Sequence, residues 1–324
     1  MSAPTAAGFS ERLLQGDRGA LARMISWAEN GDERFGPALD LVYNRVGRAA
    51  RTGFTGPPGA GKSTLVNEVA KALRQDQQTV GILAVDPSSP FSGGALLGDR
   101  IRMEDRALDP GVFIRSMASR ESRGGIAAAT VDACDVMDAF GLGQILIETV
   151  GVGQAEYDVV SAADTVVVVL CPGAGDGIQA MKAGLLEVAD ILVVNKSDLS
   201  GADRLESDLV EALHVRFGRE SSFPVPVVSV SAASGKGVSE LLASMATHKA
   251  WLAERDLPAL RLEKRLQRVR AALDSAVSSA LWTRLGFGAR ARAQLEQGLA
   301  PHRIAHDLSA RALASISPQD LRTS

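Results

Sequence analysis

The stretch Gly56-Pro57-Pro58-Gly59-Ala60-Gly61-Lys62-Ser63 reads GxxxxGKS, a complete phosphate-binding loop, and nothing else in the chain constrains the fold as strongly. It follows a short apolar run at residues 52–55 and precedes helical periodicity at residues 64–73. Glycines let the backbone curl until its N–H groups converge on the α- and β-phosphates at a helix N-terminus. Lys62 is placed to reach the β- and γ-phosphates, the Ser63 hydroxyl to ligate Mg²⁺, and Thr64 to carry the loop into the helix. A Gly-rich turn opening an ordinary helix uses the same letters, but the strand before and the helix after favour the nucleotide reading. The motif predicts a nucleoside-triphosphate site.

The base is specified further along. An apolar run, Asp190-Ile191-Leu192-Val193-Val194, delivers Asn195-Lys196-Ser197-Asp198, an NKxD motif. Asp198 can accept from guanine's ring N–H and exocyclic amine. Adenine lacks that donor pair and would leave the carboxylate desolvated and unpaired. The Lys196 stem can lie along the base face, and Asn195 can tie this loop to the phosphate loop. Residues 225–230 read as a further strand ending in Ser231-Ala232-Ala233, small residues that let backbone N–H groups approach the guanine carbonyl. Taken in order, the three segments predict binding of GTP and GDP.

Bulk properties narrow the class. A chain of 324 residues, 46% hydrophobic, can bury a core large enough for one large domain with extensions, or two domains. A formal charge of −3 argues against nucleic acid as a partner. Cys134 and Cys171 are too few for a disulfide scaffold and point to a reducing compartment; both sit in apolar surroundings and read as buried small hydrophobes. No apolar run nears the roughly 18 residues a membrane span needs. The first ten residues lack the charged and apolar segments of a signal peptide, so a cytoplasmic location is expected.

Residues 10–49 read as helical with a break at 31–37. Strands and helices then alternate. The expected strands are residues 51–55, 79–85, 112–117, 144–147, 165–170, 191–194 and 225–230; the expected helices are 62–74, 125–140, 202–217 and 239–249. Near-continuous apolar strands alternating with helices predict an α/β fold, a mostly parallel sheet covered on both faces, with the ligand site at the carboxyl ends of the strands. After Leu257 no strand pattern remains, and 11 Lys/Arg stand against 5 Asp/Glu. Leu262, Leu266, Val269, Leu273, Val277 and Leu281 form a helical apolar stripe that either covers the core or packs on a partner helix. The expected division is 1–49 helical extension, 50–256 nucleotide domain and 257–324 helical arm.

Hydrolysis needs a metal and a segment that senses the γ-phosphate. The strand at 144–147 ends in Glu148-Thr149-Val150-Gly151, where Glu148 can hold Mg²⁺ directly or through water and the Gly151 N–H can approach the γ-phosphate. Asp86 ends the strand at 79–85, and Asp99 lies in the polar, Gly-rich segment 87–102; each fits either a metal ligand or a turn residue. Ser63, Asp86, Asp99 and Glu148 are therefore the candidate metal set, and Lys62, Glu148, Asp86 and Asp99 the candidate catalytic set. The position after Gly151 holds Val152, which cannot orient a water, and Gln154 lies two residues further on. His302 and His306 have metal-pair spacing without a third ligand nearby, so they read as exposed helix residues.

Asp86-Pro87-Ser88-Ser89-Pro90, Gly93-Gly94, Leu97-Gly98-Asp99, Glu148-Thr149-Val150-Gly151-Val152-Gly153-Gln154 and Gly175-Asp176-Gly177-Ile178-Gln179 together resemble the MeaB/ArgK family of P-loop GTPases. The resemblance covers nearly the whole chain, with mild departures at Ser92, Ala95, Arg100, Ile101 and Ala155. It implies a GTPase chaperone of adenosylcobalamin-dependent acyl-CoA mutases, above all methylmalonyl-CoA mutase, that gates cofactor delivery and is accelerated by the mutase. It also implies a C-terminal dimerisation arm in a homodimer. Residues 171–182 match a further loop through which the family communicates with the mutase, with Asp176 and Lys182 as its charged members. The alternatives are a GTPase of the same architecture serving metal insertion, protein targeting or a transport system.

Overall fold

In the computed structural model the described residues are 5–86, 109–118, 125–149, 161–173, 185–217 and 223–314; side chains of residues 86, 118, 125–127, 215–217 and 314 are excepted. Asp99, Gly151, Val152, Gln154, Asp176 and Lys182 lie outside them. The chain divides into two compact units, Met1–Arg261 and Leu262–Ser324.

Three helices precede the sheet: α1 (Ala6–Leu14), α2 (Arg18–Asn30) and α3 (Phe35–Asp40), then a 3-10 turn at Tyr43–Arg45. Sequence periodicity runs through the break between α1 and α2, which is made by capping instead. Asp17 accepts from the backbone N–H of Gly19 and Ala20, and Gly31 closes α2 in the left-handed region at φ 62°. Phe9 meets Trp27 edge to face at 4.8 Å and 74°. Two arginines fasten α2 to the sheet edge: Arg115 donates to Glu29 at 2.7 Å, and Arg18 donates to the Val112 carbonyl at 2.6 Å.

The sheet has seven strands: β1 (Ala50–Thr55), β2 (Val80–Asp86), β3 (Val112–Ala118), β4 (Gln144–Thr149), β5 (Thr165–Leu170), β6 (Ile191–Asn195) and β7 (Val227–Val230). All neighbours pair in parallel in the order β3-β2-β4-β1-β5-β6-β7. Among the described residues the helices between and after them are α4 (Lys62–Gln75), α5 (Gly125–Phe140), α6 (Leu185–Val188), α7 (Ala202–Phe217) and α8 (Val238–Glu254). Strand β5 shows why its sequence is apolar throughout. Val166, Val168 and Leu170 join the core under α2, α5 and α7, while Val167 and Val169 join the core under α4 and α8. Strand β7 starts later than expected because Pro226, which has no N–H, lies outside the ladder and offers only its carbonyl, to Leu192 N at 2.9 Å.

The described residues of the second unit are mostly helical. Helix α9 (Leu257–Ser279), whose first five residues belong to the first unit, runs into a π-helical turn at Ala280–Arg284, then α10 (Phe287–Glu296) and α11 (Pro301–Ala314). Phe287, Ala291, Ile304 and Leu308 form its small core. The stripe on α9 is not part of that core: Leu262, Leu266, Val269, Leu273 and Val277 are 48–63% exposed. His302 and His306 are exposed, whereas both cysteines are buried and free.

Candidate nucleotide site

β1 is the central strand, flanked by β4 and β5, and the chain leaves its carboxyl end directly into the phosphate loop. Two glycines there are sterically required. At Gly56 (φ 133°) a Cβ would collide with the Val169 carbonyl of β5, and at Gly61 (φ 87°) it would collide with the Asn195 amide. The loop is thus wedged between β5 and Asn195, the last residue of β6. Cys171 adds a contact at 4.0 Å from its Sγ to the Gly59 carbonyl.

Lys62 is the first residue of α4, not a loop residue, and is 5% exposed. Its Nζ donates to the Gly56 carbonyl at 2.7 Å and the Pro57 carbonyl at 2.9 Å, so the ammonium spans the loop's own opening. Ser63 Oγ donates to Glu148 Oε1, joining the helix start to the end of β4. Glu148 is buried at 7% exposure and sits in register with Phe54 of β1 and Ala84 of β2. Asp86 closes β2 two residues beyond Ala84, at the same end of the sheet as Glu148. A hydroxyl and a carboxylate in contact are hard oxygen donors of the kind Mg²⁺ prefers.

The base loop is tied to the phosphate loop through one side chain. Asn195, 2% exposed, donates from Nδ2 to the Ala60 carbonyl at 2.8 Å and accepts at Oδ1 from the Ala232 N–H at 3.1 Å. The Ala232 amide is therefore committed to Asn195. Lys196 adopts the left-handed region at φ 57°, which turns the chain so that Ser197 N bonds the Val230 carbonyl at 3.0 Å. Asp198 is exposed, and its Oδ1 accepts from Ser231 Oγ at 2.6 Å. That bond, then a backbone bond within Asp198 and the nearby Lys196 charge, hold its carboxyl below the ordinary range. The Ser231 contact has no sequence signal beyond a small residue after a strand. Of the remaining loop residues, Pro58, Gly59, Thr64 and Ala233 are exposed, Pro57 and Ser197 half-buried, and Ala60 buried.

A family model described as methylmalonyl Co-A mutase-associated GTPase MeaB matches residues 21–286. This chain belongs to the MeaB family. Similar proteins include a GTPase of Pyrococcus abyssi, 48% identical over 83% of this chain and 82% of that protein. The mouse mitochondrial methylmalonic aciduria type A homolog is 36% identical over 72% of this chain and 60% of its own length. The Escherichia coli GTPase ArgK is 34% identical over 82% of this chain and 80% of that protein. Among solved structures, a LAO/AO transport system kinase superposes with a TM-score of 0.73 at 27% identity, covering 96% of this chain and 98% of that one. As a member of this P-loop GTPase family, the chain binds guanine nucleotide and hydrolyses GTP. Among the described residues no helix is long and apolar enough to cross a membrane.

Proposed function

We propose that this GTPase is a chaperone that gates adenosylcobalamin delivery to an acyl-CoA mutase, methylmalonyl-CoA mutase first among the candidates. The family description and the name of the mouse relative support the client. The observation that carries the mechanism is the Asn195 bridge between the phosphate and base loops. Through it, base and phosphates are sensed by one connected element. Ser63 and Glu148, with Asp86 and Asp99, would hold Mg²⁺, which supplies charge neutralisation at the β- and γ-phosphates. Lys62 binds the same phosphates, and the Gly151 N–H would meet the γ-phosphate. With Val152 where a water-orienting side chain would stand, hydrolysis without a partner is slow, and the mutase accelerates it by engaging the segments that hold Asp99, Asp176 and Lys182. We place the protein in the cytoplasm.

We further propose that the chain divides into a helical extension at 1–49, the nucleotide domain at 50–256 and an arm at 257–324, and that the arm joins two copies. Of the fifteen exposed large hydrophobic side chains among the described residues, ten lie from Leu260 onward, an apolar concentration that supports this reading. A transport-system kinase is the second reading, favoured by the name that the structural relative carries. Titrating the protein with mutase on one hand and with basic amino acids on the other, while following phosphate release, separates the two. Stimulation by the mutase alone supports the chaperone; stimulation by the amino acids alone removes it.

A further inference from the structure

A second charged cluster lies at the amino edge of the sheet, away from the nucleotide loops. Arg51, 8% exposed, donates from Nη2 to Asp135 at 2.8 Å and to Asp138 at 3.1 Å. Asp138 also accepts the backbone N–H groups of Gly47, Arg48 and Ala49 at 2.8, 3.1 and 3.0 Å. The carbonyls of the same segment belong to Arg261, which donates to Gly47 O at 2.5 Å and Ala49 O at 2.7 Å. The Arg261 fork also closes on both oxygens of Asp164, at 2.9 and 2.5 Å, and Asp164 accepts from Arg51 N at 3.1 Å.

Buried ion pairs add little net stability over apolar residues of equal volume, whereas a bidentate fork is strongly directional. The cluster therefore serves position. Arg261 is the last residue of the first unit. What it grips is the start of β1 and the start of β5, which pair directly through Thr52 and Thr165. Both strands end at the phosphate loop: β1 runs into Gly56, and β5 sets Val169 against Gly56 and Cys171 against Gly59. Each is six residues long, roughly 20 Å of extended chain hydrogen-bonded on both sides, and so moves as a unit.

We infer that Arg261 is a coupling residue, linking phosphate binding at Gly56–Ser63 to the order of the chain that follows it, through Asp164, Gly47 and Ala49. Linkage makes the effect reciprocal: whatever orders the residues after Arg261 changes nucleotide affinity by the same factor. The inference holds whichever client the GTPase serves.

The test is backbone hydrogen exchange on the full chain with and without GDP, for wild type, Arg261→Met and Arg261→Lys. Wild type is expected to slow exchange with GDP both in the phosphate loop and at residues 257–264, about threefold or more at the latter. Arg261→Met is expected to keep the phosphate-loop response and lose the response at 257–264. Arg261→Lys keeps the charge without the fork and is expected to behave like Arg261→Met. Should the Met variant not fold, as judged by circular dichroism, Asp164→Asn carries the same comparison. No GDP response at 257–264 in wild type, or a full response in the substituted proteins, would overturn the inference.

Discussion

Ser231 Oγ donates a 2.6 Å hydrogen bond to Asp198 Oδ1, so the residue that follows β7 aims the carboxylate that follows β6. Ser231→Ala should weaken GDP binding severalfold, since the carboxylate loses the bond that orients it. The pH dependence follows from the direction of the shift. The Asp198 carboxyl is lowered in the folded protein, so its charge persists through the ordinary carboxylate range and guanine binding is lost only as pH falls through the lowered value. In Ser231→Ala that loss should move to higher pH. Calorimetric titrations with GDP across acid pH test this, and Asp198→Asn in the same assay should shift preference from guanine toward xanthine.

Asn195→Ala should do more harm than its single side chain suggests. It unties both loops, leaving the Ala60 carbonyl and the Ala232 N–H without the amide that bridges them. A loss of about 1–3 kcal/mol in stability is expected, with a parallel fall in nucleotide affinity. Lys62→Ala removes the ammonium that bonds the Gly56 and Pro57 carbonyls, and should abolish productive triphosphate binding while the fold persists. Denaturant melts and GTP titrations of the two variants separate these outcomes; a Lys62→Ala protein with normal turnover would contradict the role assigned to the loop.

Cys134 gives a prediction at alkaline pH. Burial pushes its thiol up from 9.0 to about 12, against the opposing Arg51 charge. The unfolded chain then loses the proton first, so the thiol's contribution is complete below pH 9 and declines between 9 and 12. Wild type should lose stability across that window relative to Cys134→Ala, measured by urea unfolding at several pH values. The same shift keeps the native thiol unreactive toward alkylating agents near neutral pH.

Much of this architecture is legible in the sequence because buried parallel strands read as unbroken apolar runs. The run Thr165–Leu170 has no polar interruption after its first residue, and α5 and α7 occupy the bounds expected of them. The phosphate and base loops are legible because their chemistry demands particular residues in a particular order. The capped break between α1 and α2 is not legible, since helical periodicity continues through it. Nor is the Ser231–Asp198 bond or the Arg51–Asp138–Asp164–Arg261 cluster. Each depends on residues brought together by strand order, with separations in sequence of 33 for Ser231 and Asp198 and 97 for Arg261 and Asp164. A single sequence carries no signal for such pairs.

The unit boundary changes where a truncation should fall. Removing everything after Leu257 would delete Arg261 and strip the bonds it makes to Asp164, Gly47 and Ala49. A chain ending at Arg261 retains the residue itself, and should still bind GDP while sedimenting as a monomer. The intact chain should sediment as a dimer at micromolar concentration. An intact monomer would contradict the proposed arm.

The central claim is that the GTPase serves a cobalamin-dependent mutase, and the most direct measurement is steady-state GTP turnover with and without that mutase. Orientation of the attacking water is most of what this reaction requires, and Val152 cannot provide it. The account predicts slow turnover by the protein alone and a severalfold or greater rise with methylmalonyl-CoA mutase, reduced in Lys182→Ala and Asp176→Ala without loss of the unassisted rate. Fast unassisted turnover, or a rate that the mutase leaves unchanged, would contradict it.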